Sequence, residues 1–259
     1  MTAITTGVKS HMGAIGVSAG SRNNCADSLP KGLLTWLQLA DSAGMATGIV
    51  ATARLTHATP AATYAHSPER NWENDTELPE AAKAAGCIDI ARQQTETAFA
   101  DSVDVLMGGG RKNFMPVSQR DPEYDDKVGE RLDQRDLVAE WQQRHAGGVY
   151  AWNKQQLDAA PIDKPLLALF EPDHMQFDHD RPRDAAGEPT LAEMTRAAIA
   201  RLSRNPNGYV LLVEGGRIDH AHHYGNAYRA LADTVAMSDA VRAADAATSA
   251  DDTLILVTA

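Results

Sequence analysis

The apolar positions of this chain fall into two patterns: short unbroken runs, and longer stretches where they recur every three or four residues. The first pattern suits strands buried on both faces, the second amphipathic helices. On that reading, residues 47–53, 103–107, 165–170, 208–214 and 252–259 are strands. Residues 33–43, 81–100, 137–144, 190–203 and 228–247 are helices. Gly44 is placed to stop the first of these, Asp136 to cap the third, and Pro189 stands just ahead of the fourth. Strands alternating with helices predict an α/β fold, a central mostly parallel sheet sandwiched by helices. The stretches 115–148 and 171–188 are largely polar and irregular. They read as surface insertions within a single domain spanning 1–259.

Composition narrows the class. The chain has 259 residues, 43% of them hydrophobic and 23% charged, enough to build an ordinary core. Asp and Glu number 35 against 24 Lys and Arg, a net charge of −11. Such a balance argues against a nucleic-acid binder, which needs a basic face to displace counterions. No apolar run approaches the ~18 residues of a membrane span, and no basic-then-apolar leader is present. Two cysteines, Cys25 and Cys87, are too few for a disulfide scaffold. Both ends look cut: residues 2–9 start without a helix cap, and the last apolar run stops where a strand would feed a loop. The expectation is a piece of a longer protein, truncated at both ends.

The residues able to do chemistry gather at predicted strand ends. In Glu214-Gly-Gly-Arg-Ile-Asp219-His220-Ala-His222-His223, a carboxylate ends a buried run. If a helix begins near Ile218, Asp219 and His223 share one face, a turn apart. Imidazole with carboxylate suits Zn²⁺, whereas Glu214, set apart by the glycine turn, suits Mg²⁺. A polar loop with surface histidines is the plainer alternative. In His57-Ala-Thr59-Pro60, the Thr59 hydroxyl could complete a Mg²⁺ site across the sheet top from Glu214, or the segment could be a simple helix start. Arg70 has the guanidinium fork that grips phosphate, or is a solvated surface arginine. Gly108-Gly109-Gly110-Arg111-Lys112 lacks the spacing of a nucleotide-binding loop and reads as a tight turn. Carboxylates at Asp121, Glu123, Asp125, Asp126, Glu171 and Glu188 are either solvated charge or oxygen ligands for a hard cation such as Ca²⁺.

Taken in order, these segments resemble alkaline phosphatases of the animal-type branch. The 214–223 segment resembles that family's metal-binding signature. The resemblance extends through Thr6-Gly-Val-Lys9, His57-Ala-Thr-Pro60, Tyr64-Ala-His66, Arg70-Asn-Trp72, Asp104–Lys112, Asp121-Pro-Glu-Tyr124, Leu169-Phe-Glu-Pro172, Ser203-Arg-Asn-Pro206 and the 252–259 run.

The resemblance implies that Glu214 and Thr59 bind Mg²⁺, that Asp219 and His223 bind one of two zinc ions, and that Arg70 holds the substrate phosphate. It puts His57 and His220 just behind those ligands. It places Glu123, the Phe170 carbonyl, Glu171 and Glu188 on a calcium site, although Glu188 stands where that site usually has Asp. It pairs Cys25 with Cys87 and implies export to the periplasm or cell surface, and a homodimer at full length.

The implied activity is phosphomonoester hydrolysis through a phosphoserine at a two-zinc, one-magnesium site. The family's nucleophilic serine and the remaining zinc ligands have no match in this chain. No catalytic nucleophile is therefore assigned to it, and alone it is expected to be inactive. A related metallo-hydrolase of sulfatase or phosphodiesterase type, or a non-catalytic metal-binding module, is the alternative reading.

Overall fold

A computed structural model describes residues 1–20, 24–97, 99 and 102–258. Five strands form one sheet: β1 Ala46–Arg54, β2 Val105–Gly109, β3 Val149–Ala151, β4 Leu166–Leu169 and β5 Tyr209–Glu214. Their order is β3-β4-β2-β1-β5, and every pairing is parallel. Successive side chains on a strand point to opposite faces, and the core divides accordingly. Ile49, Leu106, Leu167 and Leu169 meet Leu37, Ile90, Leu137 and Trp141, from helices Trp36–Ser42, Ile90–Glu96 and Leu137–Arg144. Val50, Val105, Met107, Leu166 and Ala168 meet Leu157, Met194, Leu202 and Ala243 on the other face. Those belong to helices Lys154–Ala159, Leu191–Leu202 and Ala227–Ala247. The fold is thus α/β with helices on both faces, as the alternation predicts.

Caps set several boundaries. Asp136 accepts the Ala139 N–H at 2.9 Å, as expected. Thr190 and Glu193 form a reciprocal capping box, so the helix starts at Leu191. A second box, Thr35 with Gln38, starts its helix at Trp36 and leaves Leu33 and Leu34 outside. The predicted 81–100 helix is two helices, Glu80–Ala84 and Ile90–Glu96. Gly86 breaks the run at φ 89°, and Asp89 restarts it by accepting the Arg92 N–H. Positions 98 and 100 of that reading lie outside the described residues. Strand β3 is missing from the sequence reading because three residues are too few to show a pattern.

The largest departure concerns residues 252–259. Over the described positions 252–258 there is no strand. Leu254 and Leu256 are 80% and 82% exposed, and the sheet ends at β3 on one edge and β5 on the other, with no further strand beyond either among the described residues. An apolar run supplies strand composition but no ladder partner, and without one no strand forms. Position 259 lies outside the described residues.

The stretch 115–136 is irregular, as expected, yet two fully buried guanidiniums anchor its surroundings. Arg111 donates to both Asp121 oxygens at 2.8 Å, to Glu123 at 3.0 Å and to the Leu169 carbonyl at 2.8 Å. Arg131 donates to both Asp89 oxygens and to the Asn113 carbonyl. Cys25 and Cys87 form a disulfide, with Cα atoms 5.7 Å apart.

Candidate active site

The chemistry sits at the carboxyl ends of β1, β4 and β5, where parallel sheets open onto their loops. Because Ala51 is the register partner of Glu214, the end of β5 lies beside the end of β1. From there the chain enters the one-turn helix Ala58–Ala61, with His57 as its N-cap. This brings Thr59 to Glu214. Burial pushes the Glu214 carboxyl up to about 7, against the Thr59 hydroxyl and the Arg70 cation, which lower it. Its Oε2 is sealed from solvent without a hydrogen-bond partner. Gly216 makes the close turn possible, since a Cβ there would stand 2.9 Å from the Ala53 Cβ and 3.2 Å from Glu214 Oε2.

Helix Arg217–His223 follows at once. Asp219 and His223 lie one turn apart on it, with Oδ2 and Nε2 separated by 3.4 Å. Their side chains are 71% and 74% exposed, so both reach solvent above the sheet. The expected juxtapositions of Thr59 with Glu214 and of Asp219 with His223 are therefore present.

His57 and His220 come together with a third imidazole, His174, that the sequence reading leaves out. Ring centroids are 5.4 Å apart for His57 and His220, 5.1 Å for His57 and His174, and 4.1 Å for His174 and His220. One nitrogen of each ring lies within 4.8 Å of the others. Arg70 Nη2 is 2.9 Å from His57 Nε2, and Arg217 Nη1 is 3.1 Å from His220 Nδ1. The Arg54 backbone N–H donates to His174 Nδ1 at 3.1 Å. Burial, then the Arg70 charge, lowers His57 to about 4. Burial, then Arg217, lowers His220 to about 4. His174 is driven well below the usual range by burial and Arg54. Burial and the neighbouring cations thus disfavour the charged form of all three rings.

Arg54, also absent from the sequence reading, ends β1 and ties the floor of the site together. It donates to both Glu73 oxygens at 2.8 and 2.7 Å and to Asp173. Burial alone would raise Glu73, but Arg54 overrides it and holds the carboxyl below its usual range. The one signal that could have found His174 is its place just past the predicted 165–170 strand. The polar character of the following stretch masks it.

A second cluster lies along the same turn after β4. One oxygen each of Glu123, Glu171 and Asp184 lies within 4.8 Å of the others. The Glu123 side chain is only 4% exposed, yet its Oε1, like Asp184 Oδ2, has no hydrogen-bond partner. Burial and the neighbouring Asp184 push Glu123 above the usual carboxylate range. Glu188 sits alongside, pushed up to about 9 by burial and then by Glu171. Both of its oxygens take the Gln176 N–H, and Gln176 Nε2 donates to Glu171 at 2.8 Å. Phe170, itself buried, opens this turn. The structure therefore groups Glu123 with Glu171 as the resemblance implies, adds Asp184, which the sequence reading does not include, and keeps Glu188 beside them. Partnerless, sealed carboxylate oxygens in both regions fit cations: oxygen donors at Glu214 and at the 123/171/184 cluster, mixed oxygen and nitrogen at Asp219 and His223.

Comparison with known proteins agrees with this layout. The alkaline phosphatase family model matches residues 1–259. The tissue-nonspecific alkaline phosphatase of Rattus norvegicus is 44% identical over 268 aligned residues, which cover 100% of this chain and 50% of that protein. The alkaline phosphatase of Gadus morhua is 45% identical over 267, covering 100% and 55%. Among solved structures, Thermus thermophilus alkaline phosphatase superposes with a TM-score of 0.71 at 31% identity, over 93% of this chain and 42% of that one. A cold-active alkaline phosphatase from a psychrophilic Shewanella gives 0.67 at 28% identity, over 95% and 48%. The chain spans about half the length of the curated relatives it matches. With its parallel sheet, its site at the strand ends and a match along its whole length, the chain belongs to the alkaline phosphatase family.

Proposed function

We propose that this chain carries part of the active site of a metal-dependent phosphomonoesterase that works through a phosphoserine, the serine coming from outside these 259 residues. The carrying observation is Glu214, whose Oε2 is sealed and partnerless and whose carboxyl lies beside the Thr59 hydroxyl. Glu214 and Thr59 would hold Mg²⁺, and Asp219 with His223 part of a zinc site. When bound, these cations supply positive charge against the attacking and leaving oxygens of the phosphoryl group. Arg70 offers parallel N–H donors to the phosphate, and its contact with His57 Nε2 fixes where that fork points. Arg54, paired with Glu73 and Asp173, braces the turn beneath.

The carboxylates Glu123, Glu171 and Asp184, with the Phe170 carbonyl and Glu188 beside them, are read as a Ca²⁺ site. The Cys25–Cys87 disulfide supports an oxidising compartment, periplasmic or extracellular. Small phosphomonoesters are the substrates of this reading, and a homodimer its full-length form. Among the described residues, no helix is long and apolar enough to cross a membrane.

The test is p-nitrophenyl phosphate hydrolysis at alkaline pH with Zn²⁺ and Mg²⁺, by the protein that contains this chain. Glu214→Ala should reduce its turnover at least a hundredfold, while the 259 residues alone should not exceed that control. Metal binding without any hydrolysis by the longer protein would favour a non-catalytic module instead.

A further inference from the structure

We propose that the cleft between helices Lys154–Ala159 and Leu191–Leu202 binds a small organic monoanion, a carboxylate carried on a compact apolar body. The inference does not rest on the phosphatase reading, because the cationic end of the cleft lies across the sheet from Glu214. Just past Arg201 the chain reaches the amino ends of the strands. There Asn205 donates to the Gly44 carbonyl at 3.0 Å, two residues ahead of β1, whereas Glu214 closes the carboxyl end of β5.

The cleft has a volume of about 500 Å³, which suits a small molecule. Three cations, Lys154, Arg196 and Arg201, line it together with two carboxylates, Asp158 and Glu193. The carboxylates are already engaged. Lys154 pairs with Asp158 at 2.8 Å and with Glu193 at 3.3 Å, and Glu193 also accepts the Thr190 N–H at 2.8 Å. Among the described residues, neither Arg196 nor Arg201 forms an ion pair. One net positive charge is therefore left unmatched in the cleft, on a chain whose net charge is −11.

Arg201 is the fixed point. Its Nη1 donates to the Ala197 carbonyl at 3.2 Å and its Nη2 to the Ala160 carbonyl at 3.0 Å, while Nε is sealed without a partner. Two neutral carbonyls thus hold the fork in place without balancing its charge. Burial disfavours that charge, and no carboxylate offsets the effect. Each terminal nitrogen keeps one further N–H, and a carboxylate can accept such a pair in parallel. Beside the fork the wall turns apolar, with Ala160, Ala197 and Ile162, which is 44% exposed. Such a wall shelters a hydrocarbon body and gives nothing to a bare inorganic anion. A dianionic phosphate would exceed the single positive charge, and a cation would find both carboxylates taken.

Calorimetric titration of the protein that contains this chain decides it, with sodium octanoate as the probe. Octanoate should bind at one site. Acetate, which lacks the apolar body, and octanol, which lacks the charge, should each bind at least tenfold more weakly. Arg201→Met keeps the stem and should weaken octanoate at least tenfold. Arg204→Met, at an exposed arginine outside the cleft, should leave it unchanged. Because Arg201 also bonds two carbonyls, a second variant separates binding from folding: Ile162→Glu, on the exposed rim, should abolish binding while the thermal midpoint is retained. Absence of octanoate binding, or equal binding of acetate or octanol, overturns the site. So does an affinity indifferent to both Arg201→Met and Ile162→Glu, or an equal loss in Arg204→Met.

Discussion

Glu214 is costly where it stands. Its raised carboxyl means that the metal-free fold would rather hold a proton there than a charge. Glu214→Gln should therefore raise the thermal midpoint of the metal-free chain at pH 8 and abolish the further rise expected when Mg²⁺ is added to the parent. For the parent, that rise should correspond to about 2.7 kcal/mol at a hundredfold excess over Kd. A variant still stabilised by Mg²⁺ would remove Glu214 from the ligand set.

Asp233 makes a related case away from any metal. Burial pushes it up to about 6, although it accepts the Asp178 N–H. Its folded pKa exceeds its unfolded one, so the folded state binds protons more tightly between about pH 4 and 6, and stability falls as pH rises through 6. Asp233→Asn should gain about 1–2 kcal/mol at pH 8, after allowance for solvent screening, and nearly nothing at pH 4. Urea unfolding at the two pH values checks it. At this scale the sequence is a good guide wherever chemistry is packed into one short segment: Glu214, Asp219 and His223 announce themselves by spacing. His174, Arg54 and Asp184 do not, because each acts with partners far away in sequence, such as His57 for His174 and Glu123 for Asp184.

Elements follow local signals closely and fail where a partner is required. Helix Leu191–Leu202 has its full set of start signals, and Thr190→Ala should cost about 1 kcal/mol by chemical denaturation. No measurable loss would mean that the capping box adds nothing beyond tertiary packing. The 81–100 stretch misleads because alanines dominate its helical pattern while one glycine with positive φ and one aspartate cap decide the breaks. The apolar run at 252–258 misleads for the opposite reason: composition favours a strand, but strand formation belongs to a pair of segments and not to one.

Across the molecule, the Cys25–Cys87 bond links positions 62 apart in sequence. Closing a loop of that length restricts the unfolded chain by about 4 kcal/mol in the chain-entropy view. Reduction should shift the urea midpoint down accordingly, with little change in the far-ultraviolet circular dichroism of the native state. A midpoint unaffected by reductant would show that the fold around Trp72 and Leu78 is fixed without the bond.

The turn after β4 has a consequence for how distant ligands meet. The Gly110 N–H bonds the carbonyls of both Glu171 and Asp173, at 3.0 and 2.7 Å, and the Met175 N–H returns to Thr52. The carboxylate oxygens at 171 and the imidazole at 174 thus ride on one clamped piece of backbone. Ca²⁺ added at the first should consequently be felt at the second. Side-chain ¹H–¹⁵N spectra recorded with and without Ca²⁺ should show the His174 signal moving. A signal that ignores Ca²⁺ would mean that the clamp is slack enough to let its two ends respond separately.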